Sequence, residues 1–189
     1  MKTSVVLIAV AFLAGVQGTC DPDTIKNIKA FWNGKAPQDI LEHLNGTITY
    51  LTAPSYYAKN ADSIECFQTI LNGDSSATDI VIYHDDTTSA NVNYQINEED
   101  GFLTLTSDDF DAPEKVYILY LSNSVMAFFH CQDTATESFS GFAGVAVINA
   151  SDDDIDDSPE IAKGLKAADA AIAAVKLVTL AGIDTNCGD

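Results

Sequence analysis

The chain of 189 residues has no arginine, a single tryptophan and nine lysines against 28 acidic side chains, a formal charge of -19. Such a molecule repels phosphate backbones and anionic bilayers, which excludes nucleic acid and membrane surfaces as partners. It has no CxxC pair, so zinc-ribbon and thioredoxin-type chemistry are not indicated. It has no GxSxG and no glycine-rich phosphate loop, and Ser138-Phe139-Ser140-Gly141 resembles neither. The histidines His43, His84 and His130 are scattered, without ligand or general-base spacing. No catalytic residue, metal ligand or cofactor site is therefore expected, which favours a carrier over an enzyme.

What is present is a leader. Lys2 precedes the apolar run Val5-Val6-Leu7-Ile8-Ala9-Val10-Ala11-Phe12-Leu13-Ala14, and the small or compact Val16 and Gly18 stand before a cut at Gly18-Thr19. The run is too short to span a bilayer and reads as a signal peptide over 1–18. Residues 19–189 then form one secreted, extracellular domain. Its acidity suits a soluble monomer. Four cysteines, Cys20, Cys66, Cys131 and Cys187, imply two long-range disulfides in that compartment, with three connectivities open.

After the leader, Asp23 can cap a helical turn holding Ile25, Ile28 and Trp32 before Asn33-Gly34 breaks it. Pro37 to Leu44 reads as a second short helix. From Thr47 the period becomes two. Strands are expected at 47–51, 63–71, 78–83, 90–96, 102–106, 115–121, 125–131 and 142–148, separated by turns such as Asn72-Gly73-Asp74 and Asn97-Glu98-Glu99-Asp100-Gly101. Eight strands at hairpin spacing predict an all-β, antiparallel up-and-down barrel, just wide enough for one small ligand. One helix follows: Ser158 caps it, Pro159 opens it, and Ile161, Leu165, Ala168, Ile172 and Val175 form a stripe that packs on the barrel exterior.

This order resembles the lipocalins. A cysteine before the first strand, one at the second, one at the seventh and one near the C-terminus is the pattern of the arthropod members. The stretch Gln38-Asp39-Ile40-Leu41 through Thr49-Tyr50-Leu51, then Ser55-Tyr56-Tyr57-Ala58-Lys59-Asn60 up to Cys66, is similar to the opening of tick histamine-binding lipocalins. Val116 to Cys131 looks like the family's sixth and seventh strands. The resemblance implies disulfides Cys20 to Cys131 and Cys66 to Cys187. The chain departs from the family at the Gly-x-Trp signature: Gly46 is followed by Thr47 and Ile48, and Trp32 lies upstream. The aromatic motif of many tick members is also missing before the last helix.

The strand aromatics Tyr50, Tyr83, Tyr94, Phe102, Tyr117 and Phe128 are candidates to line a pocket, with the inward parity of each strand left open. The tick resemblance adds Asp39, Tyr56 and Asp62 as groups near the barrel mouth for a cationic amine. Asn45-Gly46-Thr47 and Asn149-Ala150-Ser151 fit the N-glycosylation pattern. The acidic run Asp152 to Asp157 lacks the glycine and terminal glutamate of an EF-hand and reads as a solvated helix entry. Three functions follow. One is a secreted, salivary anti-inflammatory protein that sequesters a histamine-like amine or a lipid mediator. The others are an arthropod pigment or hydrophobic-ligand carrier, and a protein-binding effector on the same scaffold. Abundant acids and scarce bases favour the amine.

Overall fold

Asp21 starts the first helix, its carboxylate accepting from the Thr24 backbone N–H at 2.8 Å, with Pro22 in the first turn where no N–H bond is lost. The expected cap, Asp23, lies within the first turn instead. This helix, α1 (Pro22–Trp32), ends where Asn33 turns left-handed at φ 49°. The second expected helix shrinks to a single turn, α2 (Ile40–His43). Asp39 before it has φ 55° and makes no side-chain cap. The N–H groups of Ile40 and Leu41 donate instead to the carboxylate of Glu98, 2.6 and 3.1 Å away, so a distant strand supplies the cap.

In a computed structural model the described residues are 20–51, 64–83, 89–133, 141–150 and 158–177. The strands are β1 (Thr47–Tyr50), β2 (Ile64–Leu71), β3 (Ser76–Tyr83), β4 (Ser89–Glu99), β5 (Phe102–Thr106), β6 (Glu114–Leu121), β7 (Val125–Gln132) and β8 (Phe142–Ile148). β4 runs on through the stretch expected to be a separator. Asn97, Glu98 and Glu99 pair with Thr104, Leu103 and Phe102, because Gly101 at φ 82° lets the chain reverse tightly. Each strand pairs antiparallel with the next, and β1 pairs with β8 through Ile48↔Ile148 to Tyr50↔Ala146. The barrel is closed and up-and-down, as the strand spacing predicts, with no free edge.

α3 (Pro159–Val175) lies outside the barrel, its first turn capped by Ser158 as expected. Gly164 rides directly on β7: a Cβ there would sit 2.7 Å from Val125 Cγ2. That contact, with α1 beside it, buries the outer faces of β6, β7 and β8, so all seven residues of β8 are buried. The wall formed by β3 has no helix packed over it and buries only Ala77 and Val81.

The segment before α1 is fastened to β7. Cys20 is disulfide-bonded to Cys131, and its N–H donates to the Gln132 carbonyl at 2.6 Å. Cys66 is disulfide-bonded too, while the partner expected for it, Cys187, lies outside the described residues. So do the expected leader, Tyr56, Asp62 and the acidic run 152–157. Trp32 closes the end of α1 over Gly101, its indole N–H donating to the Ile118 carbonyl at 2.9 Å. Among the described residues no helix is long and apolar enough to cross a membrane.

Candidate functional site

The pairing decides which strand residues face inward. Ile48 and Tyr50 of β1, Phe67 and Thr69 of β2, Asp79 and Val81 of β3, and Val92, Tyr94 and Ile96 of β4 share the interior. So do Leu103, Leu105, Val116, Ile118, Met126, Phe128, Phe142 and Ile148. The interior is divided along its length. At the end carrying α2 it is aliphatic, with Ile40, Leu44, Ile48, Ile96, Leu103, Met126 and Ile148 in contact. From mid-barrel to the opposite end it becomes aromatic and polar.

The aromatic part is a continuous wall. The Tyr50 ring stacks on Phe67 at 4.4 Å and meets Phe128 edge-on at 5.6 Å, and Phe128 meets Phe142 edge-on at 5.7 Å. Phe110, from the β5–β6 connection, tilts against Tyr94 at 5.8 Å. Gly144 makes room for Phe128, since a Cβ at that position would lie 2.3 Å from the ring. Aromatic faces of this kind attract cations through their quadrupoles.

The polar part centres on Asp79. Thr69 Oγ1 donates to Asp79 Oδ1 at 2.5 Å and Tyr94 Oη donates to the same oxygen at 2.8 Å. Tyr50 Oη lies 3.0 Å from Thr69 Oγ1, and with the Thr69 proton committed to Asp79 the phenol is the donor. Both bonds to the carboxylate thus end on Oδ1, and among the described residues none reaches Oδ2. Burial pushes Asp79 up to about 6, held back by the two donors and by the charge of His130. Burial, with Asp79 nearby, likewise drives the Tyr50 and Tyr94 phenols upward, so both remain neutral donors at ordinary pH.

A second acid stands across the interior. Glu114 Oε2 lies 2.8 Å from His130 Nε2, and Glu114 Oε1 accepts from Gln132 Nε2 at 3.1 Å. The His130 ring in turn tilts on Phe142 at 5.2 Å. Glu114 raises the Asp79 value and His130 lowers it, so the three groups act on one space. Of these, sequence reasoning named only His130, as an isolated histidine. For Asp79 the available signal was one of parity, since it alternates in step with Ala77 and Val81, whereas Glu114 opens a strand that is apolar on both faces.

The residues expected to line a pocket divide between two faces. Tyr50, Tyr94 and Phe128 are inside, and Tyr83 joins them with Phe67 and Val81. Phe102 and Tyr117 point outward, stacked on each other at 4.9 Å with Trp32 6.3 Å from Tyr117, in the layer between the barrel and the helices. Asp39 is exposed beside α2. Surface clefts of about 550 Å³ beside Tyr94, Asp108 and Asp109, and of about 590 Å³ beside Trp32, Phe102, Glu99, Asp100 and Lys29, are not lined by Asp79. Among the described residues no cluster of three or more His, Cys, Asp or Glu is arranged to hold a metal ion.

No protein-family model matches the chain, and no curated protein matches it. Solved structures do match. The siderocalin Ex-FABP, which functions through dual ligand specificities, aligns at 9% identity over 66% of this chain and 87% of its own, with a TM-score of 0.37. The odorant binding protein OBP1 aligns at 15% identity over 66% of this chain and 85% of its own, with a TM-score of 0.36. Neither likeness bears on what this chain binds.

Proposed function

We propose that the protein is a secreted, lipocalin-type carrier whose barrel captures a small cationic amine, and that it acts as a monomer by stoichiometric sequestration without catalysis. The observation that carries this reading is the Asp79 carboxylate. It is half-buried on the inward face of β3, accepts on Oδ1 from Thr69 and Tyr94, and among the described residues no hydrogen bond reaches Oδ2. A carboxylate drawn partly out of water without a cation carries a desolvation cost, and an ammonium brought to Oδ2 offsets it. Glu114 supplies a second negative group, and Tyr50, Phe67, Phe128 and Phe142 supply faces for an aromatic or apolar body. A histamine-like mediator has this combination of charge and ring. A fatty acid does not, because its carboxylate would meet Asp79 and Glu114 with no lysine or arginine beside them among the described residues. Capture of such a mediator in arthropod saliva is the physiological role that the resemblance to tick lipocalins implies.

The test is calorimetric titration of purified protein with histamine, serotonin and a fatty acid, after its visible absorbance has been recorded. Amine binding by a colourless protein, weakened at least tenfold in Asp79→Asn, is the expected result. A bound chromophore or preferential fatty-acid binding favours the hydrophobic carrier. Binding of no small molecule leaves the protein-binding effector.

A further inference from the structure

The two N-glycosylation patterns lie 104 residues apart in sequence but meet in space. Asn149, at φ 51°, ends β8 against the turn between α2 and β1. Its carboxamide is fully engaged there. Oδ1 accepts from the Thr47 N–H at 2.9 Å, and Nδ2 donates to the Asn45 carbonyl at 2.7 Å and to Asn45 Oδ1 at 3.1 Å. The amide lies flat on Gly46, where a Cβ would approach Oδ1 to 2.2 Å. The backbone completes the join, Asn149 N–H donating to the Thr47 carbonyl at 2.7 Å. Asn45 is held differently. Both asparagines are exposed, but Asn45 Nδ2 has a single long bond of 3.4 Å to the Glu42 carbonyl, and the side-chain atom it contributes to the join is Oδ1.

We infer that Asn45 is the N-glycan acceptor of this protein and that Asn149, despite its matching pattern, is kept unmodified because its carboxamide is the clamp that joins β8 to β1. In the transfer, the amide nitrogen attacks the anomeric carbon of a polyisoprenyl-pyrophosphate oligosaccharide. A C–N bond forms, the C–O bond to pyrophosphate breaks with the electron pair leaving on pyrophosphate, and the amide gives up one of its two protons. At Asn45 that proton carries only the long bond to Glu42, and Oδ1 still accepts from Asn149 after the reaction. At Asn149 both amide protons face Asn45, so the lost proton and the incoming sugar would break the clamp. Chain order acts in the same direction. Asn45 precedes every strand and emerges before its clamp partner exists, whereas Asn149 arrives when the sequence of all eight strands is present.

The experiment is secretion of the full chain from a eukaryotic host, followed by intact mass before and after enzymatic N-deglycosylation, for the natural sequence and for T47A, S151A and N149Q. T47A and S151A each remove one acceptor pattern while leaving its asparagine in place. A single glycan is expected, absent from T47A and retained in S151A, with S151A melting as the natural protein does. N149Q is expected to keep the glycan and to melt about 5 °C lower, from loss of the clamp. A glycan that persists in T47A and disappears in S151A, two glycans on the folded protein, or none at all would overturn the inference.

Discussion

The two halves of the barrel interior are built on the same strands and do different things. Toward α2 the inward residues are Ile40, Leu44, Ile48, Ile96, Leu103, Met126 and Ile148, an aliphatic plug with no polar side chain to satisfy. Toward the other end the same strands contribute Tyr50, Asp79, Glu114, His130, Gln132 and Phe142, a set that stabilises the fold poorly because its charges must leave water. The plug is where apolar burial is concentrated, and the polar half is where the fold retains its inward acids and their hydrogen-bond partners. In an up-and-down barrel the two functions are stacked along one axis, so a change in either half reports on one of them.

The largest effect is expected from the plug. Ile40→Ala removes a fully buried side chain and should cost about 3 kcal/mol in urea denaturation while leaving amine affinity within about twofold. An equal loss of affinity in that variant would show that the two halves are not separable.

Asp79→Asn should act in the opposite sense on both readouts. It keeps an oxygen for Thr69 and Tyr94 to donate to but removes the buried charge. Amine affinity should fall at least tenfold, while stability at neutral pH should rise, by at most about 3 kcal/mol for a carboxyl moved from 3.8 to about 6. A destabilised Asp79→Asn with unchanged affinity would place the carboxylate in the core rather than in a site.

The pH dependence sharpens the same contrast. Because the folded Asp79 value lies above the unfolded one, its penalty is absent below about pH 4, grows through the window from about 4 to about 6, and is complete above it. The stability gap between natural protein and Asp79→Asn should therefore close as the pH is lowered to about 4. Amine affinity should weaken roughly tenfold per pH unit below about 6, as the carboxylate takes a proton. His130 and Glu114 face the same space, so Glu114→Gln is the companion variant that separates their contribution.

The smallest effect belongs to the outer layer. Trp32→Phe keeps the ring over Gly101 but loses the bond from the indole to the Ile118 carbonyl, which should lower stability by about 1 kcal/mol with no change in binding. Thermal melts and a single titration check both halves of that statement.

Much of the framework was legible along the chain. The strand positions followed from the two-residue period and the turns between them, and α3 from Ser158, Pro159 and its stripe. The differences arose where a local signal had a distant competitor. α2 is one turn because Asp39 is left-handed and Glu98 caps the helix from β4, and β4 is long because Gly101 permits a tight reversal. The site was harder to read. A lone acid in a strand that is apolar on both faces, such as Glu114, looks the same whether it faces water or the interior, and the parity of Asp79 is a single weak signal. The apolar residues of β6 to β8 offered no parity either, since α1 and α3 bury their outer faces. That is why Tyr117 stood beside Phe128 as an equal candidate.

By itself the sequence determined the elements, their order and the antiparallel closure, because period and turn chemistry are local properties of the chain. Only the tertiary structure decided which alternate residues face inward, which acids stand on the inner face, and which of two matching asparagines bonds across to another segment through its whole carboxamide. Those are properties of pairing register and of contacts between segments up to 104 residues apart. A one-residue change in register would reverse them without changing any local pattern.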